Sequence, residues 1–119
     1  MTSERAGGPG SMSEDELTDF LVQAPSGAIC VIDDGGHLLA LPSRVVDFDD
    51  TTLTVEVDGV DRHAPQRPGT PACLVADTFT AYRAIRGIIS QGTMTWPPAA
   101  PAVTQLTISR TVTFSFANA

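Results

Sequence analysis

Ala72-Cys73-Leu74-Val75-Ala76-Asp77-Thr78-Phe79-Thr80-Ala81-Tyr82-Arg83-Ala84-Ile85-Arg86-Gly87-Ile88-Ile89-Ser90-Gln91-Gly92-Thr93-Met94-Thr95-Trp96 is the stretch whose reading decides the fold. It divides into two strand-like runs around a short polar turn: an apolar segment Cys73 to Ala76, then a longer run from about Tyr82 that carries Gly87 and Gly92. A glycine inside a strand adds no side chain to the sheet and marks a bulge, a corner or a close backbone approach. Two of them five residues apart predict a curved strand, and a curved central hairpin in a small chain favours a barrel over a flat sheet.

The flanking sequence extends this pattern. Ala28 to Ile32 is a short apolar run, Asp33-Asp34-Gly35-Gly36 is a hairpin turn, and the return strand starts at His37 and continues through Pro42 to Val46. Pro42 cannot donate to a ladder, which predicts an edge or bulged position there. After a turn at Asp49-Asp50-Thr51, the residues Leu53, Val55 and Val57 alternate with Thr54, Glu56 and Asp58, as in a strand with one wet face. Gly59 to Pro71 reads as a surface loop, and Pro97 to Pro101 as a stiff connector.

The last strand spans Thr104 to Phe116. Leu106, Ile108, Val112, Phe114 and Phe116 fall on one face, and Gln105, Thr107, Ser109, Thr111, Thr113 and Ser115 on the other. Arg110 falls on the apolar face, where an unpaired guanidinium is costly. Either a bulge near Ser109 turns it outward or an anion meets it inside; the bulge is the favoured reading. The uncharged Thr/Ser face predicts coverage by a second copy of the chain.

One helix precedes the strands. Ser13 and Glu16 form a capping box, Met12 and Leu17 stand at the staple positions, Leu17, Phe20, Leu21 and Ala24 make one apolar stripe, and Pro25 ends it. The helix is expected to span about three turns and to cap one end of the barrel. Residues 1–12, rich in glycine and without periodicity, are expected to be a disordered tail ahead of a single domain over 13–119.

Charge narrows the function. The net charge is −7, all 14 acidic residues lie at or before Asp77, and Arg83, Arg86 and Arg110 are the only charged residues after it. That balance argues against non-specific nucleic-acid binding, which depends on neutralising phosphates. No apolar run reaches the ~20 residues of a membrane helix. Every cation is an arginine, a residue that forks onto phosphate or carboxylate, although GC-rich codons produce the same bias. Cys30 and Cys73 read as buried thiols acting as small hydrophobes, as in a reducing cytoplasm. His37 and His63 lie in different segments. The paired aspartates sit in turns, where they bond their own backbone. No nucleophile elbow, metal-ligand cluster or phosphate-binding glycine loop is present in the sequence, so any chemistry is expected to fall to a bound cofactor.

The order of a helix, Gly-Ala-Ile-Cys-Val-Ile-Asp-Asp-Gly-Gly-His, Leu-Pro-Ser-Arg-Val-Val, Leu-Thr-Val-Glu-Val, an Arg-His pair before a proline-rich loop, Ala-Cys-Leu-Val-Ala-Asp, and Ile-Arg-Gly-Ile-Ile-Ser-Gln-Gly resembles the pyridoxamine 5′-phosphate oxidase-like flavin-binding split β-barrel family over residues 13 to 116. The resemblance implies a mainly β fold, a six-stranded antiparallel split β-barrel with one N-terminal capping helix. It also implies a homodimer with FMN, or the deazaflavin F420, across the interface, and a flavin-dependent oxidoreductase acting on a small molecule. Cofactor contacts would fall on Leu41, Pro42, Ser43, Arg44 and Val45, on Val57, on Arg62 and His63 as phosphate clamps, and on Arg86 and Gly87. The family's helix between the third and fourth strands has no counterpart in Ala64-Pro65-Gln66-Arg67-Pro68-Gly69, and His63 stands where a clamp lysine is usual. Those departures open the alternative of a non-catalytic flavin binder, or a cofactor-free binding module, on the same fold.

Overall fold

The computed structural model describes residues 10–32, 35–58, 69–79, 81, 84–94 and 103–118, together with the backbone of residues 4–6. The elements are β1 (Glu4–Ala6), α1 (Glu14–Val22), β2 (Ser26–Ile32), β3 (Leu38–Phe48), β4 (Thr52–Val57), β5 (Thr70–Thr78), β6 (Arg86–Met94) and β7 (Val103–Ser115), with a terminal 3₁₀ turn over Phe116–Asn118. Strands β7-β4-β3-β2-β5-β6 pair in that order, every contact antiparallel, and β6 returns to β7. The result is a closed six-stranded antiparallel barrel with one helix, as the glycine-bearing hairpin predicts.

Both glycines of that hairpin sit at close approaches. A Cβ on Gly87 would stand 2.5 Å from the Ala76 carbonyl oxygen and 2.5 Å from Phe114 Cζ, and one on Gly92 would overlap the Thr107 carbonyl. Gly92 also borders the point where the β6–β7 register slips: Gln91 faces Arg110, and the next residue, Gly92, faces Ile108. The extra residue is Ser109, whose hydroxyl donates to the Gln91 carbonyl at 3.0 Å. Arg110 is exposed, as the bulge reading requires.

The bulge also reverses the alternation of everything after it, because a one-residue slip turns each following side chain to the opposite face. Thr104, Leu106 and Ile108 point inward before it, and Thr111, Thr113 and Ser115 point inward after it. The expectation that the Thr/Ser face is covered by a second copy is thereby corrected for Thr111, Thr113 and Ser115. Those three hydroxyls lie inside the chain's own barrel, while Val112 and Phe114 are only half-buried.

Pro42 is likewise corrected. It lies within a continuous β3 that has neighbours on both sides, not at an edge. The missing N–H faces Asp58, just beyond the end of β4, so no ladder bond inside β4 is lost; Asp58 still donates to the Pro42 carbonyl at 2.9 Å. At the end of the expected 59–71 loop, Thr70 and Pro71 already belong to β5. The rest of that loop through residue 68, the Pro97–Pro101 connector and Asp33-Asp34 lie outside the described residues.

The helix forms as its caps predict, over nine residues. Ser13 Oγ accepts from the Glu16 amide at 3.2 Å, and Glu16 Oε1 accepts from the Ser13 amide at 3.2 Å. Phe20 and Leu21 enter the core with Ile29, Val45, Leu53, Val55, Leu74, Ile88 and Leu106. Each such side chain contributes about 1.5–3 kcal/mol by leaving water. The predicted tail is corrected in its described parts. Glu4–Ala6 pair in parallel with Arg110–Val112, Met12 is buried, and the Met12 amide donates to Thr113 Oγ1 at 2.9 Å. Gly10 donates to the Asn118 carbonyl at 2.9 Å and accepts from the Ser115 amide at 2.6 Å.

Candidate functional site

The barrel is not sealed along its whole length. β4 pairs with β7 only over Val103–Thr107, and beyond the bulge β7 takes β1 as its neighbour. Between α1 and the strands lies a cavity of about 450 Å³, within the size range of small-molecule sites. Its walls are apolar: Leu17 and Leu21 from the helix, Phe48 and Leu53 from either side of the β3–β4 turn, Ile88 from β6 and Ile108 from β7.

Two hydroxyls stand on the buried side of this space. Ser90 and Thr111 face each other across β6 and β7, and their oxygens lie 2.9 Å apart. Each hydroxyl retains acceptor lone pairs beyond that bond, so the pair can accept a hydrogen bond from a bound molecule. The exposed rim is acidic, with Glu14 in the first turn of α1 and Asp49 and Asp50 in the β3–β4 turn, beside Thr18. Asp49 Oδ1 accepts from the Thr51 amide at 2.8 Å, the Thr52 amide at 2.8 Å and the Thr51 hydroxyl at 3.2 Å. The Thr51 amide is the chief cause holding the Asp49 carboxyl below its usual range; burial opposes it, and the Thr52 amide and the Thr51 hydroxyl add to it. Among the described residues no cation lines the cavity.

The residues expected to hold a cofactor are distributed differently. Pro42, Ser43 and Arg44 line one groove of about 310 Å³ with Ser26, Gly27, Glu56 and Asp58. Arg44 there is exposed and pairs with Glu56 at 3.4 Å, and Asp58 adds a second carboxylate. Two carboxylates against one guanidinium do not fit a phosphate dianion, which needs charge-assisted donors without competitors. Ser43 Oγ is buried with no hydrogen-bond partner. Val45 and Val57 are core residues and Leu41 packs against the core. Arg86 lies over the Phe20 ring, 5.7 Å from its centroid, and joins helix to sheet; Gly87 is buried between β5 and β7. Arg62 and His63 lie outside the described residues. The expected set therefore does not converge on one site among the described residues.

No family model, curated protein or solved structure matches this chain. Among the described residues no group of three or more His, Cys, Asp or Glu is placed to hold a metal ion, and no helix is long and apolar enough to cross a membrane. The cavity residues Leu17, Ser90 and Thr111 were not singled out as site residues from sequence. The available signal was the Arg110 anomaly: a bulge placed at Ser109 turns Thr111 inward, opposite Ser90.

Proposed function

We propose that this chain is a cofactor-independent binding module whose cavity accepts a small molecule with an apolar body and a cationic end. The observation that carries this reading is the cavity's polarity. Apolar walls surround a buried pair of hydroxyls, and the carboxylates of Glu14 and Asp49 stand at the mouth, with no cation among the described residues that line it. Such a mouth attracts an ammonium and repels a phosphate or carboxylate. The test is thermal stabilisation by three matched compounds, an arylalkylamine, the corresponding alcohol and the corresponding carboxylate, since a ligand that binds only the folded state raises its melting temperature. The amine is expected to stabilise most, the alcohol less and the carboxylate not at all. Equal shifts for amine and carboxylate, or none for any compound, would refute the reading.

A second reading keeps the flavin-dependent oxidoreductase, a homodimer with FMN or F420 at its interface acting on a small molecule in the cytoplasm. It is supported by the outer sheet face, where Ala28, Val75, Ile89 and Val112 stand in register across four strands, all half-buried. A second copy seated there would cover an apolar row. Its phosphate clamp would have to come from Arg62 and His63, because Arg44 is committed to Glu56. Light scattering for mass and absorbance in the near-ultraviolet and blue after incubation with FMN or F420 test this reading. A monomer that neither cofactor colours would end it.

A further inference from the structure

Cys30 and Cys73 occupy directly opposed positions on β2 and β5. Their neighbours Ile29, Val31, Ala72 and Leu74 are buried in the barrel, so by alternation the two cysteines stand on its outer face, where both are half-buried and free. The type of pairing follows from the ladder. The Val45 amide donates to the Pro25 carbonyl at 3.0 Å, and Ser26 is in register with Arg44. Odd-numbered residues of β2 therefore direct their backbone groups to β3 and even-numbered residues to β5, which makes Cys30 and Cys73 a hydrogen-bonded pair. Opposed Cα atoms of that kind lie about 5.5 Å apart, inside the ~4.4–6.8 Å span that a disulfide bridges. Their Cβ atoms, at up to about 5.5 Å in such pairs, must be drawn toward the ~3.8 Å typical of the bond. A bridge here forms without moving strands apart, yet carries strain, and strained or exposed disulfides are the readily reduced ones.

We propose that Cys30 and Cys73 form a reversible cross-strand dithiol, a modification site for thiol–disulfide exchange with small disulfides of the glutathione type. The Cys30 thiolate attacks one sulfur of oxidised glutathione, forming a mixed disulfide and expelling one glutathione thiolate. The Cys73 thiolate then attacks the Cys30 sulfur and expels the second glutathione. Two protons and two electrons pass from the protein to two glutathione thiols, and one protein disulfide results. Burial, and next the adjacent Cys30 sulfur, push the Cys73 thiol up, which lowers its thiolate fraction and makes it the poorer first nucleophile; its attack in the second step rests on its position opposite Cys30.

The test uses the full chain, folded, in graded ratios of oxidised to reduced glutathione, followed by alkylation of the remaining thiols, intact mass and peptide mapping. The expected result is joint loss of both alkylatable thiols with no glutathione retained and a peptide linking Cys30 to Cys73, reversed by excess reduced glutathione. Cys73→Ser should instead keep one glutathione on Cys30, with an unchanged far-ultraviolet circular dichroism spectrum. Thiols that remain alkylatable at every ratio, that react only after unfolding, or that each carry glutathione without an internal bond would overturn the proposal; the wild-type arm decides this even if the variant fails to fold.

Discussion

Ser90 Oγ and Thr111 Oγ1 meet at 2.9 Å on facing residues of β6 and β7, inside a barrel whose other inward positions are largely aliphatic. Removing one hydroxyl strands the other, and an unsatisfied buried polar atom costs more than the bond itself contributes. Thr111→Val is expected to destabilise the fold by about 1–3 kcal/mol, and the double variant Ser90→Ala/Thr111→Val by less than the sum of the two single changes. Urea unfolding in a double-mutant cycle measures this; strict additivity would show that the hydroxyls do not act as a pair.

Gly92→Ala places a methyl against the Thr107 carbonyl, a backbone atom that cannot swing away. We expect a loss of about 2 kcal/mol or more, with the same sign for Gly87→Ala, whose obstacles include the Ala76 carbonyl. Chemical denaturation midpoints check both. A neutral Gly92→Ala would mean that β6 and β7 lie farther apart at the bulge than described.

Acid should weaken the fold through two identifiable carboxyls. The Asn118 side-chain amide, 3.0 and 2.9 Å from the Glu16 oxygens, is the chief cause holding Glu16 below its ordinary value, and the Thr51 amide does the same for Asp49. Because each is depressed in the folded chain, the unfolded chain takes up its proton first as the pH falls. Their contribution is complete above the ordinary carboxylate range near pH 4 and disappears as the pH drops through the folded values. Glu16→Gln and Asp49→Asn should therefore flatten the acid side of a stability-against-pH curve. Curves parallel to wild type would contradict the assignment.

Arg44 and Glu56 are both about half exposed at 3.4 Å, so Arg44→Ala should change stability by no more than about 0.5 kcal/mol. A flavin clamp built from Arg62 and His63 leaves FMN binding unchanged by this substitution, whereas a clamp that includes Arg44 would lose about tenfold or more, the equivalent of one charge-assisted bond. Titration of FMN into both proteins separates the cases, and identical curves would remove Arg44 from any clamp.

Local signals in the sequence were reliable where one short segment decides the outcome. Ser13 and Glu16 start the helix, Gly87 and Gly92 mark the close approaches of β6, and a charged residue on an apolar face located the bulge at Ser109. The cavity was illegible because four separated segments build it, and because threonine and serine suit a wet face as well as a hydrogen-bonded interior. Only the partner decides, and for Thr111 that partner is Ser90, twenty-one positions earlier. The β1 strand has no periodic signature at all. Glu4-Arg5-Ala6 pair with β7, and Met12 contacts the same strand through Thr113.

The role of β7 as neighbour to β4, β6 and β1 has a kinetic consequence. The last strand in the chain order closes the barrel and also seats its beginning, so almost no early intermediate can gain closure from nearby residues. Long-range pairing of this kind slows folding, because loop entropy is lost before contacts compensate. Until β7 is in place, β4 and β6 each retain an open edge, and the hazard of this fold is intermolecular strand capture during that interval.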